Sequence, residues 1–205
     1  MLKISSKLKY TGLALAAIAI GAIAPTHSSL ATNDVAGFQK PISGKADVIG
    51  TDGRSVGQII LDESKNGVVI QYDLHGLPAG ERTIHIHAKG DCTPYGEDAK
   101  NSEKGNFVNA GGHLNPDNKP HGFYHEGGPH AGDLPRITVE GNGDVHAETY
   151  NDRITLKDND LNKGKAVLLD DDGAAFVIHA GQDDYESQPT GAAGDRIACG
   201  KIVAD

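Results

Sequence analysis

The sequence predicts an all-β fold, a sandwich or barrel of short strands with two long functional loops. Three observations predict it. Short apolar or alternating runs recur along the chain, separated by turn signals such as Asp52-Gly53, Asn66-Gly67, Gly141-Asn142-Gly143 and Asp170-Asp171-Asp172-Gly173. Helical periodicity is absent beyond the N-terminal segment. Two stretches, Cys92 to Asp133 and Gly181 to Asp195, are rich in Gly and polar residues and carry no periodic pattern. Loops of that length inside a compact domain need a functional reason or an external source of order.

In chain order, the expected strands begin with Ile42–Ile49 and Ser55–Leu61, joined at Asp52-Gly53. Gly67–Leu74 follows after the hairpin signal Asn66-Gly67. Gly76-Leu77-Pro78-Ala79-Gly80 turns the chain into the strand Thr83–Ala88. After the first long loop come Arg136–Glu140 and Asp144–Thr149, then the short segments Arg153–Leu156 and Ala166–Leu169. Ala174–Ala180 is apolar and carries His179, and Ile197–Val203 closes the chain.

The chain has 205 residues, enough for one domain with a substantial core. Residues 1–31 read as a signal peptide. Lys3, Lys7 and Lys9 give a basic start, and Thr11 to Ala24 is apolar but too short to span a bilayer. Ser29-Leu30-Ala31 supplies a small-residue cleavage site, and Pro25 argues against cleavage after Ala24. The domain is therefore expected over 32–205, exported, with the periplasm as destination and no membrane attachment after signal removal. The net charge of −9 becomes more negative once those three lysines are gone. So acidic a surface excludes nucleic acid as a partner, because phosphate binding needs cationic surface. Attraction of an anionic substrate would have to be local.

Cys92 and Cys199 are the two cysteines. In an oxidising compartment an even pair forms a disulfide. Across 107 positions the chain-entropy model gives such a bridge roughly 4–5 kcal/mol. A thiolate metal site is the alternative, but the pair lacks the usual zinc spacing.

Six of the ten histidines lie between Thr83 and Asp133. His85 and His87 stand two apart on a strand, so they share one face while Ile84 and Ile86 take the other. An ion could be chelated there from a rigid backbone. His130 and Asp133 can turn onto one ion from a Gly- and Pro-rich loop that also holds His121. Imidazoles with one carboxylate suit zinc, and imidazole-only tetragonal sites suit copper. His113 lies between the two groups in sequence and is the candidate to belong to both. His179 follows Phe176-Val177-Ile178, where a lone histidine is ordinarily a hydrogen-bonded core residue. The strand-borne pair needs further ligands, which raises its standing as one.

Five segments in order now resemble the copper/zinc superoxide dismutase family in its exported bacterial form. They are His85-Ile86-His87-Ala88-Lys89-Gly90-Asp91-Cys92, Gly111-Gly112-His113-Leu114-Asn115-Pro116, Gly128-Pro129-His130-Ala131-Gly132-Asp133-Leu134-Pro135, Val177-Ile178-His179-Ala180-Gly181 and Gly194-Asp195-Arg196-Ile197-Ala198-Cys199-Gly200. The resemblance implies a Greek-key β-sandwich or barrel of about eight antiparallel strands. It implies copper held by His85, His87, His113 and His179, and zinc held by His113, His121, His130 and Asp133. His113 would bridge the two metals. Asp183 matches the carboxylate that links a copper ligand to a zinc ligand, and Cys92 and Cys199 match the family disulfide. Arg196 matches the arginine that draws superoxide toward copper.

The implied chemistry is disproportionation. Copper(II) oxidises one superoxide, copper(I) reduces a second, and His113 takes and gives a proton between the half-cycles. Zinc has no redox chemistry and would order the loop. Relatives occur as monomers and homodimers. Ala88 stands where many relatives have glutamate, at a position that is not a ligand. Lys100 and Lys104, in a segment longer than in eukaryotic relatives, either steer substrate or are solvated. His125 is a spare loop histidine or a competitor for zinc. His27, His75 and His146 lie off the motifs and receive no metal role. A metal-buffering module without dismutase activity is the rival reading, and it would ordinarily lack a copper ligand or the arginine.

Overall fold

The computed structural model describes residues 42–94, 105–160 and 162–205. Among the described residues, eleven strands run in chain order: β1 Ser43–Gly50, β2 Ser55–Ser64, β3 Gly67–Leu74, β4 Gly80–His87, β5 Ile137–Val139, β6 Val145–Asn151, β7 Ile154–Thr155, β8 Ala166–Val167, β9 Ala175–His179, β10 Arg196–Lys201 and β11 Val203–Ala204. Eight of them form one antiparallel path in the order β5-β4-β9-β10-β1-β2-β3-β6, and β11 pairs with β1. The two ends of that path, β5 and β6, are consecutive in the chain. The turn between them is closed by the Glu140 N–H donating to the Asp144 carbonyl at 2.9 Å. The sheet thus curls round into a nearly closed barrel, which removes most of its free edge.

Alternation explains the strands. In β3, Val68, Ile70, Tyr72 and Leu74 are buried, while Gln71 and Asp73 face out. In β2, Val56 and Ile59 are both buried although three apart. The register shifts here, from Val48↔Gly57 to Ile49↔Ser55, so Val56 is the extra residue of a bulge. The barrel interior is filled by Ile59, Leu61, Ile70, Leu74, Ile84, Ile86, Phe176 and Ile178, all at or below 1% exposure. β7 and β8 pair in parallel outside the barrel, through two register positions, Ile154↔Ala166 and Thr155↔Val167. They are shorter than the sequence predicts, and they fall outside the expected antiparallel set.

A second, smaller core lies outside the barrel wall. Phe107, Ala110, Ala175, Val177 and Cys199 form it, with Ile49 and Cys92 packed against it. The Cys92–Cys199 disulfide is formed, with Cα atoms 5.5 Å apart. It ties the start of the first long loop to β10. Phe107 precedes a single 3-10 turn, Val108–Ala110, which the sequence does not reveal. No described helix is long and apolar enough to cross a membrane. The expected signal peptide, 1–31, lies outside the described residues, as do Lys100 and Lys104.

Candidate metal centre

β4 and β9 supply the rigid side of the site. His85 pairs with Val177 and His87 with Ala175, while His179 pairs with Thr83. Ile84, Ile86, Phe176 and Ile178 fill the barrel from these strands, so the three imidazoles stand on its outer face. Ala175 and Val177 are fully buried members of the second core. His85, His87 and His179 are nonetheless buried, at 0%, 0% and 4% exposure, because both loops fold over them.

The backbone of Ile86 docks the first loop. Its N–H donates to the Gly132 carbonyl and its carbonyl accepts from the Leu114 N–H, both at 2.8 Å. Gly132 in turn donates to the Leu114 carbonyl at 2.9 Å. This brings His113 opposite His87 and Asp133 opposite His85. The approach requires glycine, since a Cβ on Gly132 would lie 2.2 Å from the Ile86 carbonyl oxygen.

Donor atoms of His85, His87, His113 and His179 lie within 4.8 Å of one another. Hydrogen bonds fix which ring nitrogen each presents. His87 Nδ1 donates to the Gly111 carbonyl at 2.8 Å, and His179 Nδ1 donates to the Gly194 carbonyl at 3.1 Å. His85 Nε2 donates to Asp183 Oδ2 at 2.7 Å. The other nitrogens, His85 Nδ1, His87 Nε2, His113 Nε2 and His179 Nε2, are buried with no protein partner. A neutral imidazole that donates through one nitrogen carries a lone pair on the other. Such unpaired acceptors in a dry interior are costly unless a cation satisfies them.

The second cluster surrounds Asp133. Its Oδ1 lies 3.0 Å from His113 Nδ1, 3.0 Å from His121 Nδ1 and 3.3 Å from His130 Nδ1. His113 Nδ1 and His130 Nδ1 are 3.2 Å apart. A tetrahedral zinc ion with bonds of about 2.0 Å spaces its ligand atoms by about 3.3 Å, so these four fit it. His85 also comes within 4.8 Å of His113, His121 and Asp133. Its Nε2, however, is committed to Asp183, and His130 is the third imidazole with a nitrogen turned onto Asp133. His113 offers one nitrogen to each cluster.

Asp133 Oδ2 accepts the Gly122 and His130 N–H groups, each at 2.9 Å. Burial alone would raise its pKa, but the bonds from His113, His121, His130 and Gly122 hold the carboxyl far below the usual carboxylate range. Burial pushes His113 down to about 4, against the pull of Asp133. It also takes His179 to about 3, assisted by His85. Burial likewise lowers His87, with smaller contributions from the His113, Arg196 and His179 charges. His121 behaves oppositely, because Asp133 and Asp183 overcome burial and raise it to about 9 in the metal-free protein.

Asp183 is fully buried, with Oδ1 3.0 Å from His121 Nε2 and Oδ2 on His85. Arg196 begins β10 in register with His179. Its Nη1 donates to the Phe107 carbonyl and its Nη2 to the Gly111 carbonyl, both at 2.7 Å. The structure thus brings every residue of the two ligand sets together, with Asp183 and Arg196 beside them. His125 stays out: it is exposed and its Nδ1 donates to the Glu126 carbonyl at 2.7 Å. His146 pairs with Asp73 on the barrel surface, and His75 is exposed.

Sequence reasoning missed several supports. Arg153 donates through Nε to the His130 carbonyl and through Nη2 to the Asp133 carbonyl, at 3.2 and 2.8 Å. Its neighbours in sequence give no sign of this. Gln188 and Tyr185 fasten the second loop to the first, through the His121 main chain and the Tyr124 N–H respectively.

Comparison with known proteins follows the same lines. A family model described as copper/zinc superoxide dismutase matches residues 55–202. A "Superoxide dismutase [Cu-Zn] 2" of Aquifex aeolicus is 40% identical over 168 residues, 82% of this chain and 90% of the relative. A "Superoxide dismutase [Cu-Zn]" of Caulobacter vibrioides is 37% identical over 153 residues, 74% of this chain and 80% of its own. Among solved structures, an SOD-like protein from Bacillus subtilis superposes with a TM-score of 0.67 at 36% identity, covering 78% of this chain and 97% of its own.

Proposed function

The chain belongs to the copper/zinc superoxide dismutase family, and on that premise we propose how its own residues divide the work. It is an enzyme that converts two superoxide anions and two protons to oxygen and hydrogen peroxide, with copper and zinc as cofactors. Copper, when bound, would supply the one-electron redox couple that both half-reactions need, and zinc would be redox-silent.

We assign copper to His85, His87, His113 and His179, and zinc to His113, His121, His130 and Asp133. The observation that carries the copper assignment is the set of four buried ring nitrogens without a protein partner, all in one quartet. The tautomers of His85, His87 and His179 are set by Asp183, Gly111 and Gly194, which turn a lone pair inward. Asp133 supplies the negative charge of the second set and, being held ionised, needs no proton removed at neutral pH.

Arg196 gathers the substrate. Two carbonyls fix its guanidinium plane, and its charge adds a small contribution to the burial and neighbouring imidazoles that lower His87 and His179. A small anion is drawn to the same place, which matters in a chain whose net charge of −9 repels anions at long range. His113 Nε2 is the atom that holds a proton between half-cycles and delivers it to the nascent peroxide. The second proton comes from solvent.

We also infer export, with residues 1–31 as signal peptide and the periplasm as destination. The formed disulfide supports an oxidising compartment. The experiment is dismutation by residues 32–205 loaded with copper and zinc. Rapid, cyanide-sensitive turnover is expected, and no turnover with both metals bound would contradict the assignment.

A further inference from the structure

His121 has four polar atoms, and three of them are held by the second long loop. Asp183 Oδ1 faces its Nε2 at 3.0 Å. Gln188 Oε1 accepts the His121 N–H at 2.8 Å, and Gln188 Nε2 donates to the His121 carbonyl at 2.9 Å. The fourth atom, Nδ1, faces Asp133. One side-chain amide thus mimics a neighbouring strand, pairing with both main-chain groups of this histidine. Gln188 Nε2 also donates to the Glu186 carbonyl at 2.8 Å, which braces the clasp within its own loop.

The same loop sets copper-side residues. Asp183 Oδ2 holds His85, and the Gly194 carbonyl holds His179. Neither contact reaches the main chain of the first loop, whereas Gln188 does.

We propose that Gln188 is a positioning residue that locks the second loop onto zinc ligand His121, so that zinc retention and the placement of Asp183 on His85 depend on each other. The proposal rests on the zinc assignment given above. A neutral clasp holds its geometry at any pH where the fold persists, unlike the charged contacts of Asp133 and Asp183. Groups one step removed from a metal set ligand orientation and commonly change affinity by about 10–100-fold when lost. Gln188 is exposed, so its replacement leaves the barrel core untouched.

The test uses the copper- and zinc-loaded protein with Gln188→Met, which keeps the bulk and loses all three side-chain hydrogen bonds, two of them to His121. Gln188→Glu is its partner, keeping the acceptor but placing a carboxylate oxygen against two carbonyls. His121→Ala is the control. Zinc release to a chelator is followed with copper content, and the visible bands of cobalt placed in the zinc position are recorded. Both Gln188 variants are expected to release zinc about tenfold faster or more, retain copper, and shift the cobalt bands. Release at the wild-type rate in both variants would overturn the proposal while leaving the zinc assignment intact. Faster release with unchanged cobalt bands would make Gln188 a folding residue and would also overturn it. If His121→Ala releases zinc no faster than wild type, the zinc assignment itself fails, and the proposal with it.

Discussion

Asp183 Oδ2 lies 2.7 Å from His85 Nε2, and both side chains are at most 1% exposed. The other oxygen of the same carboxylate lies 3.0 Å from His121 Nε2. Burial alone would raise the pKa of this carboxyl, but the bonds from His121 and His85 hold it below the usual range. One ionised group therefore joins His85 of the imidazole quartet to His121 of the Asp133 cluster. Asp183→Asn places an amide N–H₂ against one of those rings. Zinc affinity is expected to fall about 10–100-fold, read by competition with a chelating dye. Unchanged affinity would show that Asp183 does not set the His121 ring.

Gly191 makes that carboxylate possible. Its φ is +68°, and a Cβ there would lie 1.9 Å from Asp183 Oδ1 and 2.6 Å from His121 Nε2. Gly191→Ala must strain the backbone and displace the bridge. A loss of roughly 1–3 kcal/mol in the stability of the metal-loaded protein is expected in denaturant unfolding. Retained stability and zinc content would mean that the loop relaxes without cost.

Arg196→Ala removes the local cation but no metal donor. Turnover should drop by about tenfold or more with copper content unchanged, and its dependence on ionic strength should flatten. An unchanged rate with unchanged salt dependence would place steering elsewhere on the molecule.

The metal-free protein should lose stability as pH falls from about 6.5 toward 4. His113 and His179 titrate near 4 and 3 in the folded chain and near 6.5 when unfolded, so the unfolded chain binds more protons across that window. His121 works in the other direction: its pKa of about 9 contributes stability below 6.5 that is lost as pH rises through 9. Thermal melts of metal-free protein from pH 4 to 10 should thus show a maximum near pH 6.5. A flat profile would contradict the burial of these rings. Copper and zinc loading should suppress the acid limb, because bound ligands are held deprotonated.

Much of the candidate site was legible because the residues that cluster in it follow simple spacings. His85 and His87 share a strand face by period 2, and His130 and Asp133 sit in a turn. The barrel was legible from alternation in β3 and from turn signals. Other features follow from contacts between distant segments and leave no local pattern. Gln188 is an exposed polar residue in a loop, and nothing in its neighbours marks the 67-residue separation to His121. Arg153 reads as a strand residue, yet its guanidinium holds the His130 and Asp133 carbonyls of the first long loop. The bulge at Val56 was invisible because Val56 and Ile59 break alternation by the one residue that the register shift absorbs. Phe107 sits at φ 56° with its ring fully buried, a conformation that propensity disfavours and that its packing and its carbonyl's bond to Arg196 explain.

The most direct measurement is metal content and dismutation on the same sample, for wild type and His87→Ala, after loading with copper and zinc. His87 presents Nε2 to the quartet and takes no part in the second cluster. Wild type should hold about one copper and one zinc per chain and turn over superoxide rapidly. His87→Ala should keep its zinc and its fold while losing dismutation. Near wild-type turnover by fully loaded His87→Ala would contradict the assignment of copper to His85, His87, His113 and His179.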